Sequence, residues 1–197
     1  MKKIVVGTFL TLDGVMQAAG DANEDTEGGF KRGGWQWPYF DEEAGRIMDK
    51  TIAATDALLL GRKTYEIFAG YWPNASADDT IGQRLNSIPK YVVSRTLKKV
   101  DWNNSTLIKK NLAQEIARIK QEGSGPGFIA VTGSGVLAQS LMKLGLVDEY
   151  NLWIHPIVLG TGKRLFADGV VPANLKLVDS TTISTGVVIL TYRPDGK

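Results

Sequence analysis

Up to Gly145, short apolar runs rich in β-branched residues alternate with segments of helical period; beyond it only strand-like runs remain. No other feature of the chain constrains its fold as strongly. Strands that alternate with helices must be joined by crossovers, and crossovers make a sheet parallel with helices on both faces. Strands that follow one another without helices close as hairpins.

The spacing predicts a strand over residues 4–10 and a helix over 40–54, where Phe40, Ala44, Ile47, Met48 and Ile52 recur every three or four positions. It predicts a strand over 55–60, a helix over 63–68, and a helix ending at Asn86 that Asp79 caps. Strands are expected over 91–93 and 106–108, then a helix from an Asn111 cap to Gln121. A break over 123–127 precedes a strand over 128–131, a turn over 133–135, a helix over 136–144 and a strand over 147–156. The last two runs, 175–183 and 187–193, flank Thr185-Gly186 and read as a hairpin. The expected fold is therefore α/β: a central, mostly parallel sheet flanked by helices, with an antiparallel hairpin at its C-terminal edge. One domain over 1–197 suits a chain of 197 residues with 43 % hydrophobic and 22 % charged residues.

Composition removes several kinds of chemistry. There is no cysteine, so disulfides, thiolate metal sites and a cysteine nucleophile are excluded. His155 is the single histidine, which rules out a three-histidine metal centre, and no metal site is expected. A net charge of +2 gives no ground for a nucleic-acid partner. No apolar stretch approaches the roughly 18–20 residues that cross a bilayer, and the N-terminus lacks a signal-peptide core. A cytoplasmic protein without nucleic-acid or membrane partners is expected.

Three strand-to-helix junctions carry anion chemistry. At the first, Leu60-Gly61-Arg62-Lys63-Thr64, a strand ends in glycine and a helix opens with two cations. Helix N-termini present free N–H groups and a positive dipole end, which suit phosphate. The second, Val93-Ser94-Arg95, offers a hydroxyl and a bidentate guanidinium. The third, Thr132-Gly133-Ser134-Gly135-Val136, is a glycine-rich turn whose amides can approach a pyrophosphate. It is not the G-x-G-x-x-G fingerprint: its sixth position is Ala138, and the first strand carries none. A dinucleotide with an extra phosphate would engage all three junctions. Each also has a structural reading, as a plain turn with solvated side chains.

Proton donors are sought among Asp13, after the first strand, and Asp41, Glu42 and Glu43, at the first helix. Burial could raise a carboxyl there into a donor's range. The structural alternative is that Asp13 caps a turn and that the acids of the first helix complement its dipole. The segment 17–38 is long, glycine-rich and anchored by Trp35 and Trp37, as a lid would be. Trp35, Trp37 and Tyr71 could wall a flat substrate or belong to the core.

Gly61-Arg62-Lys63-Thr64-Tyr65-Glu66 resembles the cofactor-binding segment of dihydrofolate reductases, and Val92-Val93-Ser94-Arg95 the strand whose end holds the adenosine 2′-phosphate. Thr132-Gly133-Ser134-Gly135 takes the place of the Gly-Gly turn near the pyrophosphate and nicotinamide. Thr11-Leu12-Asp13-Gly14, Gly145-Leu146-Val147-Asp148-Glu149-Tyr150, Pro156-Ile157-Val158-Leu159-Gly160 and Gly162-Lys163-Arg164-Leu165-Phe166 are similar to the C-terminal reductase domain of the riboflavin-biosynthesis deaminase–reductase. The resemblance covers nearly the whole chain. It implies a dihydrofolate-reductase-like three-layer fold, NADPH as cofactor, and a homodimer. It also implies hydride transfer to a pterin- or pyrimidine-like heterocycle, of the dihydrofolate or 5-amino-6-(5-phosphoribosylamino)uracil kind. In that frame Gly61, Arg62, Lys63, Thr64, Ser94, Arg95, Thr132, Gly133, Ser134, Gly135 and Val136 touch the cofactor, and Asp41 and Asp13 are the proton-donor candidates. The alternative is a dimeric protein that binds NADP(H) without catalysis.

Overall fold

The computed structural model describes residues 1–123 and 125–196. Eight strands form one sheet: β1 (Ile4–Thr11), β2 (Thr55–Gly61), β3 (Lys90–Val93), β4 (Ser105–Ile108), β5 (Phe128–Thr132), β6 (Glu149–His155), β7 (Leu175–Thr182) and β8 (Val188–Pro194). Among the described residues five α-helices accompany them: α1 (Glu42–Ala53), α2 (Arg62–Tyr71), α3 (Thr80–Ser87), α4 (Leu112–Glu122) and α5 (Gly135–Lys143). The break expected over 123–127 includes Ser124, which lies outside the described residues.

The strand order is β4-β3-β2-β5-β1-β6-β8-β7. From β4 to β6 every neighbouring pair is parallel; β8 then runs antiparallel to β6, and β7 antiparallel to β8. This is the expected α/β sheet with its C-terminal hairpin, and Gly186 at the turn has the positive φ, +84°, that the hairpin requires.

Alternate residues of the central strands feed two cores. Ile4, Val6, Leu59, Ile129 and Val131 pack with Ile116 and Ile119 of α4 and Leu137, Ala138 and Leu141 of α5. Leu58, Leu60, Val92 and Ala130 pack on the other face with Tyr65 of α2 and Leu85 of α3. Strands buried on both faces read as unbroken apolar runs, which is why 57–60 is Ala-Leu-Leu-Leu. The result is three layers. All of the parallel strands end at one edge, where ligands bind in open α/β sheets.

The segment between β1 and α1 is irregular, with short 3₁₀ turns at Glu27–Gly29 and Trp37–Tyr39. Val15, Ala18, Ala19, Phe30 and Trp35 form its own small core over Phe9, Ile157 and Leu159. Trp35 therefore belongs to the packing of this segment and not to a substrate wall. Trp37 and Tyr71 are more than half exposed.

Candidate functional site at the C-terminal strand edge

β2 and β5 are neighbours, and the helices that follow them start side by side. α2 begins immediately after Gly61, which has no side chain to cap it. α5 begins after Ser134, whose hydroxyl does not cap α5 either. Instead the Gly61 N–H donates to Ser134 Oγ (3.0 Å), and the Ser134 N–H donates to Thr64 Oγ1 (3.1 Å). Gly133 and Ser134 are both left-handed (φ +57° and +49°), which folds the turn back so that the Gly133 N–H reaches Gly7 O of β1 at 3.3 Å. A Cβ on Gly135 would stand 2.8 Å from Met16 Sδ, so only glycine fits against that side chain as it stands. The first and third junctions thus form one structure. Two uncapped helix N-termini, each with first-turn amides that have no intrahelical acceptor, open on the same edge. Val136 lies beside them in the first turn of α5 and is 79 % exposed, an apolar face on open surface.

The second junction adjoins them, since Gly61 pairs with Val93 in the sheet. Its two residues do different work. Ser94 is buried, and its Oγ accepts the N–H groups of Thr96 (3.2 Å) and Leu97 (3.1 Å). It organises the turn that exposes Arg95. Arg95 has no ion pair or hydrogen bond among the described residues. The other two cations are engaged: Arg62 pairs with Glu66 one turn on (2.9 Å), and Lys63 pairs with Asp25 (2.7 Å). Sequence reasoning missed Asp25, along with Glu27 and Lys163, which complete that cluster. The one local signal for any of them was the Gly162-Lys163-Arg164 motif.

The two proton-donor candidates have structural posts. Asp13 accepts from the Thr11 hydroxyl (2.6 Å) and from the N–H groups of Leu159 (3.2 Å) and Gly160 (2.8 Å). These bonds, the Thr11 hydroxyl first, hold its pKa down at about 2 against a smaller opposing effect of burial. Asp41 is the N-cap of α1: it accepts the Ala44 N–H at 2.8 Å and the Ser184 hydroxyl at 2.5 Å. The Ala44 amide and then Ser184 lower its pKa as well. Both carboxylates are thus held ionised, the opposite of what a proton donor at neutral pH requires. Asp41 has the standard capping role of an acid that precedes Glu-Glu and a helix.

His155 ends β6, is 1 % exposed, and is ringed edge-on by Phe9, Trp35 and Tyr39. Its Nδ1 donates to Trp153 O (3.0 Å) and is 3.3 Å from Leu10 O. Burial lowers its pKa, outweighing the two carbonyls. The native ring thus stays neutral at pH values where the unfolded chain, titrating near 6.5, takes up a proton. Stability is therefore fully present above pH about 6.5 and falls as the pH drops below it, with a slope of at most about 1.4 kcal/mol per pH unit. Urea unfolding of the wild type and of His155→Gln between pH 7 and 5 checks this. The wild type should lose more stability than the variant over this range, and parallel curves would refute it.

No helix among the described residues is long and apolar enough to cross a membrane, and no cluster of potential metal ligands is found among them.

Residues 2–189 match the model of the RibD C-terminal domain. The chain is 33 % identical to the uncharacterized protein YyaP of Bacillus subtilis (strain 168), over 99 % of this chain and 96 % of that one. It is 27 % identical to the uncharacterized protein YwjB of the same organism, over 84 % and 83 %. Among solved structures it is similar to a putative riboflavin biosynthesis protein from Shewanella sp. PV-4, with a TM-score of 0.74, 21 % identity and 99 % of both chains covered. A pyrimidine reductase-like protein from Corynebacterium diphtheriae gives a TM-score of 0.68 at 13 % identity, over 100 % and 93 %. Dihydrofolate reductase from Enterococcus faecalis, complexed with NADP(H) and RAB-propyl, gives 0.59 at 14 % identity, over 98 % and 96 %. The fold is the dihydrofolate-reductase-like one, and the chain belongs to the RibD C-terminal domain family.

Proposed function

We propose that this protein is an NADPH-dependent reductase that delivers a hydride to a pterin- or pyrimidine-like heterocycle. One observation carries the reading: two uncapped helix N-termini are bonded together at adjacent strand ends, with the unpaired Arg95 at the next strand. Family membership supports it, as do neighbours whose names speak of pyrimidine reduction and of an NADP(H) complex. The residues present fit such a cofactor. The turns 61–64 and 132–136 would hold its phosphates, Arg95 the phosphate that separates NADPH from NADH, and Val136 an apolar ring. Ser94 positions Arg95 through its turn. The bound cofactor supplies the hydride. The chain orients the two partners. Asp13 and Asp41 act in this reading as anchors, and the proton comes from solvent. The reading also takes the protein as a cytoplasmic homodimer; the exposed edge strand β7, with Leu177 and Val178 on its surface, supports a self-contact.

The engagement of both carboxylates favours a second reading, NADP(H) binding without catalysis. Calorimetric titration with NADPH and NADH tests what the two readings share. A charge-assisted phosphate contact contributes about 1.5–3 kcal/mol, so NADPH should bind roughly ten- to a hundredfold more tightly, and Arg95→Ala should erase the preference. If neither nucleotide binds, both readings fail. If NADPH binds and no dihydropterin or reducible pyrimidine in a substrate panel oxidises it, the second stands.

A further inference from the structure

Lys63 lies in the first turn of α2, within the turn assigned above to phosphate, and its ammonium already has an anion. Asp25 Oδ1 is 2.7 Å away and Glu27 Oε2 3.6 Å. Both carboxylates belong to the segment between β1 and α1. Lys163 closes the cluster from the loop after β6, at 2.7 Å from Asp25 and 2.5 Å from Glu27. Two cations and two carboxylates leave no net charge. Gln17, almost fully buried, fixes the strap from behind: its Nε2 donates to Asp25 O (3.1 Å) and Glu27 O (2.9 Å), and its Oε1 accepts the Lys163 N–H (3.0 Å). Immediately beyond Glu27, Gly28 and Gly29 are both left-handed (φ +69° and +75°) with open space around them, a backbone able to swing.

We propose that Asp25 and Glu27 form a carboxylate latch that occupies Lys63 and Lys163 in place of a phosphorylated ligand, and that a phosphate of that ligand displaces them and frees the strap. The proposal rests on the reading that the Arg62–Thr64 turn accepts phosphate. Part-exposed ion pairs are individually weak, so one dianionic group can replace two monoanionic ones without a large barrier in free energy. The latch balances the charge of the two cations and keeps the segment closed until a ligand of the right charge arrives.

The test compares the wild type with the double variant D25N/E27Q and with Lys163→Gln, which breaks the cluster from the other side. Trypsin reports the strap directly, because Lys31 and Arg32 are exposed on it. Both variants should be cut there several times faster than the wild type in the absence of any ligand. In titrations with inorganic pyrophosphate and with NADPH, D25N/E27Q should bind roughly tenfold more tightly, since no carboxylate has to leave. Unchanged cleavage would show that the cluster does not hold the strap. Faster cleavage with equal or weaker pyrophosphate affinity would show that the carboxylates do not compete with phosphate. Either result overturns the latch. Failure of the cofactor reading is recognised separately: wild type and variants would then all ignore NADPH, while cleavage and pyrophosphate affinity still decide on the latch.

Discussion

Gly61→Asp is expected to weaken nucleotide binding by roughly a hundredfold or more while leaving the protein as stable as before, or slightly more so. Gly61 is the N-cap of α2 and has φ −75° and ψ 161°, a conformation open to any residue and normal at a helix cap. A Cβ there would meet Leu137 Cβ, Ser134 Cβ and Ser134 Oγ, all at 3.7 Å, which is ordinary contact. An aspartate can therefore be accommodated, and its carboxylate would accept first-turn amides that now have no acceptor. Exchanging glycine for aspartate at an N-cap contributes a few tenths of a kcal/mol. The same carboxylate would repel a phosphate at the helix end. Two charges about 5 Å apart at an effective dielectric constant near 20 interact by roughly 3 kcal/mol, so affinity should fall by a hundredfold or more. Gly61→Asn separates charge from occupancy: it keeps the cap, keeps the stability and loses much less affinity. Thermal unfolding and calorimetric titration of both variants decide the matter. If Gly61→Asp binds NADPH as the wild type does, the α2 terminus is not the phosphate site and the assignment of 61–64 fails.

This trade between cap and ligand explains which parts of the site were legible in the sequence. The junctions at 61–64 and 132–136 announce themselves locally, because a strand that ends in glycine and runs straight into a helix leaves amides to satisfy. The sheet was legible for a similar reason: strands buried on both faces must be apolar throughout, and Asp79 does cap α3, accepting the Gly82 N–H at 3.0 Å. What was not legible depends on partners far along the chain. Lys63 meets Asp25 across 38 residues, and Lys163 meets it across 138. Nothing in either neighbourhood specifies such a pair. Ser94 looked like a ligand because a hydroxyl at a strand end has the same sequence whether it faces a phosphate or its own turn.

Local signals also lost to context. α2 runs on to Tyr71, through Gly70, because Phe68, Ala69 and Trp72 pack on the core beneath it. Asn111 stands at the start of α4 as expected, yet in a left-handed conformation (φ +54°) with no side-chain cap. Asp41 was the opposite case. Its capping role was readable from the Glu-Glu that follows it, but a carboxylate near a strand edge also fits a catalytic role, and only its bonds to Ala44 and Ser184 separate the two.

Stability is expected to rise by roughly 3 kcal/mol between pH 8 and 10.5 because of Lys90 alone. Lys90 opens β3 and is completely buried, yet no carboxylate pairs with it among the described residues. Its Nζ donates to Asn86 O and Asn103 O, both at 2.9 Å, and sits 4.4 Å from the centroid of the Trp102 ring. Two carbonyls and a π face compensate only part of the desolvation of an ammonium, and burial lowers its pKa from 10.5 to about 8. The neutral amine still has two N–H groups for the two carbonyls, so deprotonation removes the charge without orphaning an acceptor. Between pH 8 and 10.5 the unfolded chain keeps this proton and the native one does not. Stability therefore rises with pH through that window, and below pH 8 the full penalty of the buried charge is present. Other groups titrate in the same range, so the comparison is with Lys90→Met, which has nothing to titrate: it takes the ammonium from Asn103 O and leaves Asn86 O only the Asn104 side-chain amide at 3.4 Å. Lys90→Met should be destabilised at high pH by the orphaned Asn103 carbonyl, at about 1–3 kcal/mol, and this is offset near neutral pH by the relief of the buried charge. Urea unfolding at intervals from pH 7.5 to 10.5 should show the wild type gaining on the variant by about 3 kcal/mol. Parallel curves would mean that Lys90 titrates alike in both states and that the two carbonyls and the Trp102 ring fully replace its water.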